Sequence, residues 1–132
     1  MNYRHSFHAG NFADLVKHAL LLWLLERGQA DGPLTVIDTH AGAGLYDLTG
    51  DASRSKEAEA GVVRLMEANG RPPLIEALAA ALARLNPQGG AALYPGSPLL
   101  AAEILRDDDR YVGFELNPPV LDLLTEALAP YP

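Results

Sequence analysis

No cysteine occurs in the 132 residues, which excludes disulfides, thiolate metal sites and cysteine nucleophiles. Long apolar runs are also missing. The longest, Ala19 to Leu25, falls far short of the roughly 20 residues needed to cross a bilayer. Arg4 is followed by no apolar stretch with a small-residue cleavage site, so no secretory signal is expected. Basic residues are scarce: 10 Lys and Arg against 17 Asp and Glu give a formal net charge of -7. That balance argues against a nucleic-acid partner, because phosphate binding draws on Lys and Arg. What is present is one domain's length of chain with 48% apolar content, enough for a sizeable core. The expected location is cytoplasmic.

Periodicity and punctuation order the chain. Asn11 reads as an N-cap, with Asp14 as a weak capping-box partner. "FADLVKHALLLWLLER" (12–27) is a helix that Gly28 should stop. Its second half is apolar on all sides and should be buried. "PLTVID" (33–38) is a strand running into the glycine loop "THAGAG". Between residues 50 and 92, two Ala/Leu/Glu/Arg-rich segments, each closed by glycine, read as amphipathic helices. "YPGSPLLAAEILRDDD" follows, with Ser97 as N-cap, Pro98 at the first helical position and an end near Arg106. "RYVGFE" (110–115) is a second strand, and "NPPVLDLLTEALAP" repeats the cap logic with Asn117 and Pro118. Without residues 50–92, a strand–helix–strand–helix unit remains, which is half of a doubly wound parallel sheet.

Chemistry concentrates in four places. In "DTHAGAGLYD", Gly42 and Gly44 follow a strand, which permits a tight turn and close approach to a ligand. Asp47 stands where a dinucleotide fingerprint wants its third glycine, and no Gly-Lys-Ser/Thr of a P-loop follows. Two glycines suit a nucleoside ligand without a pyrophosphate, such as S-adenosylmethionine; a purely structural turn is the alternative. Glu115 ends the second strand, where an open α/β sheet holds a ribose's hydroxyls. It lies 71 residues past Gly44, or 28 with residues 50–92 set aside, near the spacing of about 20 expected. Its other reading is a cap for the next helix. Ser97 starts a helix, where an anion such as the cofactor's methionine carboxylate would sit, or it is an ordinary Ser-Pro cap. Lastly, His5, His8, His18 and His40 follow no familiar metal spacing, so no metal is expected. An ion pair with Asp14, one turn earlier, would explain His18, and His40 within the loop could touch a ligand.

"YRHSFHAGNFADLVKH", "DTHAGAGLY", "YPGSPLL" and "ELNP", in this order, resemble the RlmJ family of bacterial 23S ribosomal RNA adenine-N6 methyltransferases. The resemblance implies a Rossmann-like S-adenosylmethionine-dependent methyltransferase fold of the α/β class, with an inserted helical subdomain. On that plan residues 1–49 hold the tail, first helix, first strand and glycine loop; 50–92 the insert; and 93–132 the continuing core. It further implies that His18, His40, Ser97 and Glu115, beside Gly42 and Gly44, bind S-adenosylmethionine. Tyr3 and Arg4 in the tail would meet the 23S rRNA substrate.

The family's catalytic Asp-Pro-Pro-Tyr motif is absent. "NPPV" (117–120) imitates it, but Val120 cannot stack on a base, so this stretch reads as a helix cap. The chain therefore looks like the cofactor-binding first half of the enzyme, truncated, without catalytic residues of its own and inactive by itself. A half-sheet should expose an edge and apolar surface, so self-association is expected unless further strands cover it. The rival reading is a non-catalytic half-domain that binds RNA or a partner. A nicotinamide-dependent oxidoreductase is a weaker third, opposed by Asp47.

Overall fold

In a computed structural model describing residues 8–49 and 56–131, the chain is an α/β fold of two compact units. One unit takes Met1–Ala19 and Tyr46–Tyr94, the other Leu20–Leu45 and Pro95–Pro132. In chain order the elements are α1 (Phe12–Gln29), β1 (Thr35–Asp38), β2 (Leu45–Asp47), a π-helical turn (Glu59–Val63) continued by α2 (Arg64–Glu67), α3 (Pro73–Leu85), β3 (Leu93–Pro95), α4 (Ser97–Ile104), β4 (Arg110–Gly113) and α5 (Pro118–Leu128). Strands β2 and β3, paired with each other, are elements that sequence patterning does not reveal. Three residues are too few to display a period of two.

In the first unit, Asn11 caps α1 as expected: the Asp14 N–H donates to Asn11 Oδ1 at 2.9 Å. The Asp14 carboxylate reaches back to the Gly10 N–H at 3.1 Å, one residue earlier than a capping box would place it, and also takes Lys17 Nζ at 2.7 Å. Gly10 O in turn accepts from the Val62 N–H at 2.9 Å. Backbone lies directly on backbone here, because a Cβ on Gly61 would collide with Gly10 O. The helix widens to its π turn at this crossing, so the first of the two expected insert helices is irregular rather than a plain α-helix. Helix α3 buries Leu78, Ala79, Ala81 and Leu82, and the two leucines are worth roughly 1.5–3 kcal/mol each relative to exposure. Asn86 ties the end of α3 to β3: its amide nitrogen donates to Leu82 O and Leu93 O, and its oxygen accepts from the Leu93 N–H, all at 2.9 Å.

The second unit is built on β1 and β4, which pair in parallel with Thr35 opposite Arg110 and Asp38 opposite Gly113. Alternation puts Val36, Asp38, Tyr111 and Gly113 on the half-buried face. Helix α4, with Pro98, Leu99, Leu100 and Ala101 buried, contacts both strands and α5. The opposite face is open, with Ile37 65% and Val112 42% exposed.

Three expectations fail in this unit. Helix α1 continues through Gly28 to Gln29, because Gly28 keeps a helical backbone and the Leu34 side chain packs where its Cβ would stand. The apolar second half of α1 is not buried all round: Leu22 and Leu25 are, whereas Leu20, Trp23 and Leu24 remain 42–53% exposed, since one flank alone is covered. Ser97 is the first helical residue rather than the cap, a place taken by Gly96, and no side chain caps the helix. The Ser97 hydroxyl is used elsewhere, and α4 ends at Ile104, near Arg106 as expected.

Candidate functional site at the carboxyl ends of β1 and β4

The site residues predicted on the second unit gather where β1 and β4 end. Past Asp38 the chain turns back on the other strand: Phe114 N–H donates to Asp38 O at 2.8 Å and Ala41 N–H to Phe114 O at 3.0 Å. Gly42 then takes φ +71°, a left-handed conformation costly for a residue with a Cβ. This turn aims its N–H at Glu115 Oε2, 3.1 Å away. Gly44, at φ +76°, serves packing, because a Cβ there would stand 3.1 Å from Ala127 Cβ and 3.3 Å from Leu124 Cδ1. Its carbonyl accepts the Gly96 N–H at 2.7 Å, which sets the start of α4 beside the loop.

Glu115 combines both roles that its position suggests. Oε1 accepts the Asn117 N–H at 2.8 Å, which holds the entrance to α5, while Oε2 faces the glycine loop. Each oxygen spends one lone pair on a backbone N–H and keeps another for a ligand hydroxyl. His40 is exposed on the loop, with Nδ1 2.9 Å from Thr39 Oγ1 and its N–H on Asp38 Oδ1 at 3.1 Å.

Sequence reasoning missed Asp38 as more than a strand's last residue. Its Oδ2 accepts both the Ser97 hydroxyl at 2.7 Å and the Tyr111 hydroxyl at 3.2 Å. Burial first, and the Asp38 carboxylate beside it second, raise the Tyr111 phenol above its ordinary pKa, so this hydroxyl stays a donor. Gly113 makes the contact possible: it sits two residues from Tyr111 on the same face, and a Cβ would meet the Tyr111 ring at 2.8 Å. The available signal was the period of two in "RYVG", which puts Tyr111 and Gly113 together. The cross-strand partner could not be read from it.

The remaining candidates fall in the first unit or outside the described residues. His18 belongs to the first unit, buried with Nδ1 2.8 Å from the Tyr94 hydroxyl and its ring tilted 32° against that of Tyr94. Burial above all, and then the Asp14 carboxylate, push the Tyr94 phenol up. Tyr3, Arg4 and His5 fall outside the described residues. His8 Nδ1 meets Glu57 Oε2 at 2.9 Å; this bond first, and one from Asn11 second, hold the Glu57 carboxyl below its usual range. Among the described residues no group of three metal-ligating side chains occurs, and no helix is long and apolar enough to cross a membrane. Asn117 takes the N-cap position before α5, with prolines in the first turn, which accounts for "NPPV" as a helix start, but its side chain makes no capping hydrogen bond.

Two carboxylates and a hydroxyl beside left-handed glycines, with no basic side chain among the described contacts, suit ribose hydroxyls and cationic groups. A family model described as Ribosomal RNA large subunit methyltransferase D, RlmJ matches residues 31–131. The chain is 40% identical over 126 residues to Ribosomal RNA large subunit methyltransferase J of Escherichia coli (strain K12), covering 94% of this chain and 45% of that protein. The protein of the same name from Haemophilus influenzae (strain Rd) is 40% identical over 122 residues, covering 89% and 43%. Protein LPL1258 from Legionella pneumophila, of the family called DUF519, superposes with a TM-score of 0.80 at 35% identity, over 90% of this chain and 44% of its own. The chain thus spans somewhat under half the length of these relatives.

Proposed function

Because the chain belongs to the ribosomal RNA large subunit methyltransferase family RlmJ, we propose that it forms the cofactor-binding part of an enzyme that methylates the N6 amine of an adenosine in 23S rRNA. S-adenosylmethionine is the methyl donor in this reading, and the bacterial cytoplasm is the setting. The core is Rossmann-like, and residues 50–92 are a helical subdomain inserted into it. The observation that carries the proposal is the join of Gly42 N–H to Glu115 Oε2 across 73 residues of sequence.

The residues present fit the cofactor. Glu115 retains lone pairs for the two ribose hydroxyls, and the turn at Gly42 and Gly44 lets backbone approach the nucleoside. Ser97 opens α4 and Asp38 ends β1 in contact with it, where the methionine part would be held, and His40 stands exposed on the loop beside them. S-adenosylmethionine, once bound, supplies an electrophilic methyl on a cationic sulfur. The carboxylates favour that charge, and aligning the donor for attack by an amine demands position and desolvation more than acid–base help. The RNA is met by residues the tail supplies, Tyr3 and Arg4 among them, and the adenosine must leave its stack to be reached.

Thermal unfolding with and without S-adenosylhomocysteine tests the proposal. A saturating ligand at 100 times its Kd should stabilise the chain by about 2.7 kcal/mol, and Glu115→Ala should abolish most of the shift. An unchanged melting curve at millimolar ligand overturns it.

A further inference from the structure

Asp38 is dressed by three donors: the Ser97 hydroxyl, the Tyr111 hydroxyl and the His40 N–H. A carboxylate offers acceptors only, so both hydroxyl hydrogens point at it. Ser97 has one hydrogen, and at 2.7 Å from Asp38 Oδ2 that hydrogen is spent. What the Ser97 oxygen can still offer is lone pairs.

From this geometry we propose that Asp38 and Tyr111 are positioning residues that fix the Ser97 hydroxyl with its hydrogen turned inward, so that Ser97 meets its ligand as an acceptor and takes an ammonium group. The ligand half of this statement rests on the cofactor reading above, in which the α-ammonium of the methionine part is the group concerned. The backbone N–H groups of a helix start favour a carboxylate, but this side chain does not: a carboxylate against the Ser97 oxygen would place acceptor against acceptor, with the Asp38 charge behind it. An ammonium gains a hydrogen bond from Ser97 and attraction from Asp38 together.

Tyr111 has a definite part in the arrangement. It shares Oδ2 with Ser97, so the carboxylate is held from the strand side and cannot rotate freely toward the helix. The ring reaches that oxygen across Gly113, whose missing Cβ leaves the space. Both tyrosine and serine are half-buried, which strengthens the bonds relative to a fully solvated triad.

Calorimetric titration of the chain with three ligands tests the ligand half. The ligands are S-adenosylhomocysteine, its analogue lacking the carboxylate and its analogue lacking the amine. Ser97→Ala should weaken the first two by about tenfold and leave the third within twofold. Tyr111→Phe should weaken the first two by about threefold with the same indifference to the third, a pattern that a merely structural role would not produce. A Ser97→Ala loss that follows the carboxylate instead, or a Tyr111→Phe loss equal for all three, overturns the proposal. Proton NMR of the ligand-free chain reads the hydroxyl's direction separately. The Ser97 hydroxyl proton should exchange slowly and cross-relax with the Tyr111 hydroxyl proton, and Asp38→Asn should abolish both effects. A freely exchanging Ser97 hydroxyl in the unsubstituted chain overturns the orientation. Failure of all three ligands to bind sinks the cofactor reading and the ammonium with it, while the hydroxyl resonance still decides the orientation.

Discussion

Two aspartates mark opposite ends of the β1–β4 pair, and their surroundings differ in kind. At the amino end, Asp109 accepts from the Leu34 N–H at 2.7 Å, Gln29 Nε2 at 2.7 Å, the Arg106 N–H at 2.9 Å and Arg106 Nε at 3.1 Å. The same guanidinium also donates to Gly32 O at 2.8 Å. The partners are the last residue of α1 and the turns that lead into the strands, and the Asp109 side chain is fully covered. At the carboxyl end, Asp38 is held by two hydroxyls and one backbone N–H, next to a loop whose His40 is exposed. One carboxylate closes a structural clasp around a guanidinium. The other orients groups that still have lone pairs to offer.

The largest expected effect tests the closed end. Asp109→Ala should strip the acceptor from Arg106, Gln29 and Leu34 at once, lowering Tm by on the order of 10 °C. The protein that remains folded should bind S-adenosylhomocysteine within about twofold of the original. Thermal melts paired with calorimetry check this, and an affinity that drops with stability would erase the contrast between the two ends. Glu115→Ala should do the reverse, costing about 100-fold in affinity with a much smaller change in Tm than Asp109→Ala. Equal losses of both kinds would show that the carboxyl end is a clasp as well.

Two smaller effects sharpen the contrast. Gly113→Ala introduces a Cβ 2.8 Å from the Tyr111 ring, so the ring must swing and its hydroxyl leave Asp38. A roughly threefold loss of cofactor affinity is expected, readable by titration; no loss would mean that Tyr111 holds nothing in place. The last is a pH effect. The Arg106 guanidinium first, then the N–H groups of Arg106 and Leu34 and the Gln29 amide, hold the Asp109 carboxyl far below its usual range. A depressed folded pKa contributes stability that is complete above the unfolded value and is lost as pH falls toward the folded one. Acid titration of Tm should therefore narrow the gap between the parent chain and Asp109→Asn below the ordinary carboxylate range. A gap constant down to pH 2 would deny that Asp109 titrates as described.

Legibility in the sequence followed how local the cause was. Asn11 as a cap, Gly42 as a left-handed turn after a strand and Asn117-Pro118 as a helix start are decided within a few residues, and patterning finds them. Ser97 was misread for the same reason. Its place before a proline looks like a cap, but the partner that takes its hydroxyl lies 59 residues away. The apolar second half of α1 misled differently: composition shows which residues are apolar, not how many neighbours arrive to cover them, and Leu20, Trp23 and Leu24 stay exposed.

By itself, the order of residues determined the α/β class, the glycine loop after the first strand, the acidic balance and the absence of thiol chemistry, since each depends on composition or near neighbours. Tertiary structure alone decided the register of β1 against β4, which oxygen of Glu115 meets the Gly42 N–H, and that one aspartate became a clasp and the other a support for Ser97. Those outcomes depend on which distant donors reach a carboxylate, and the pairing of strands settles that where sequence spacing cannot.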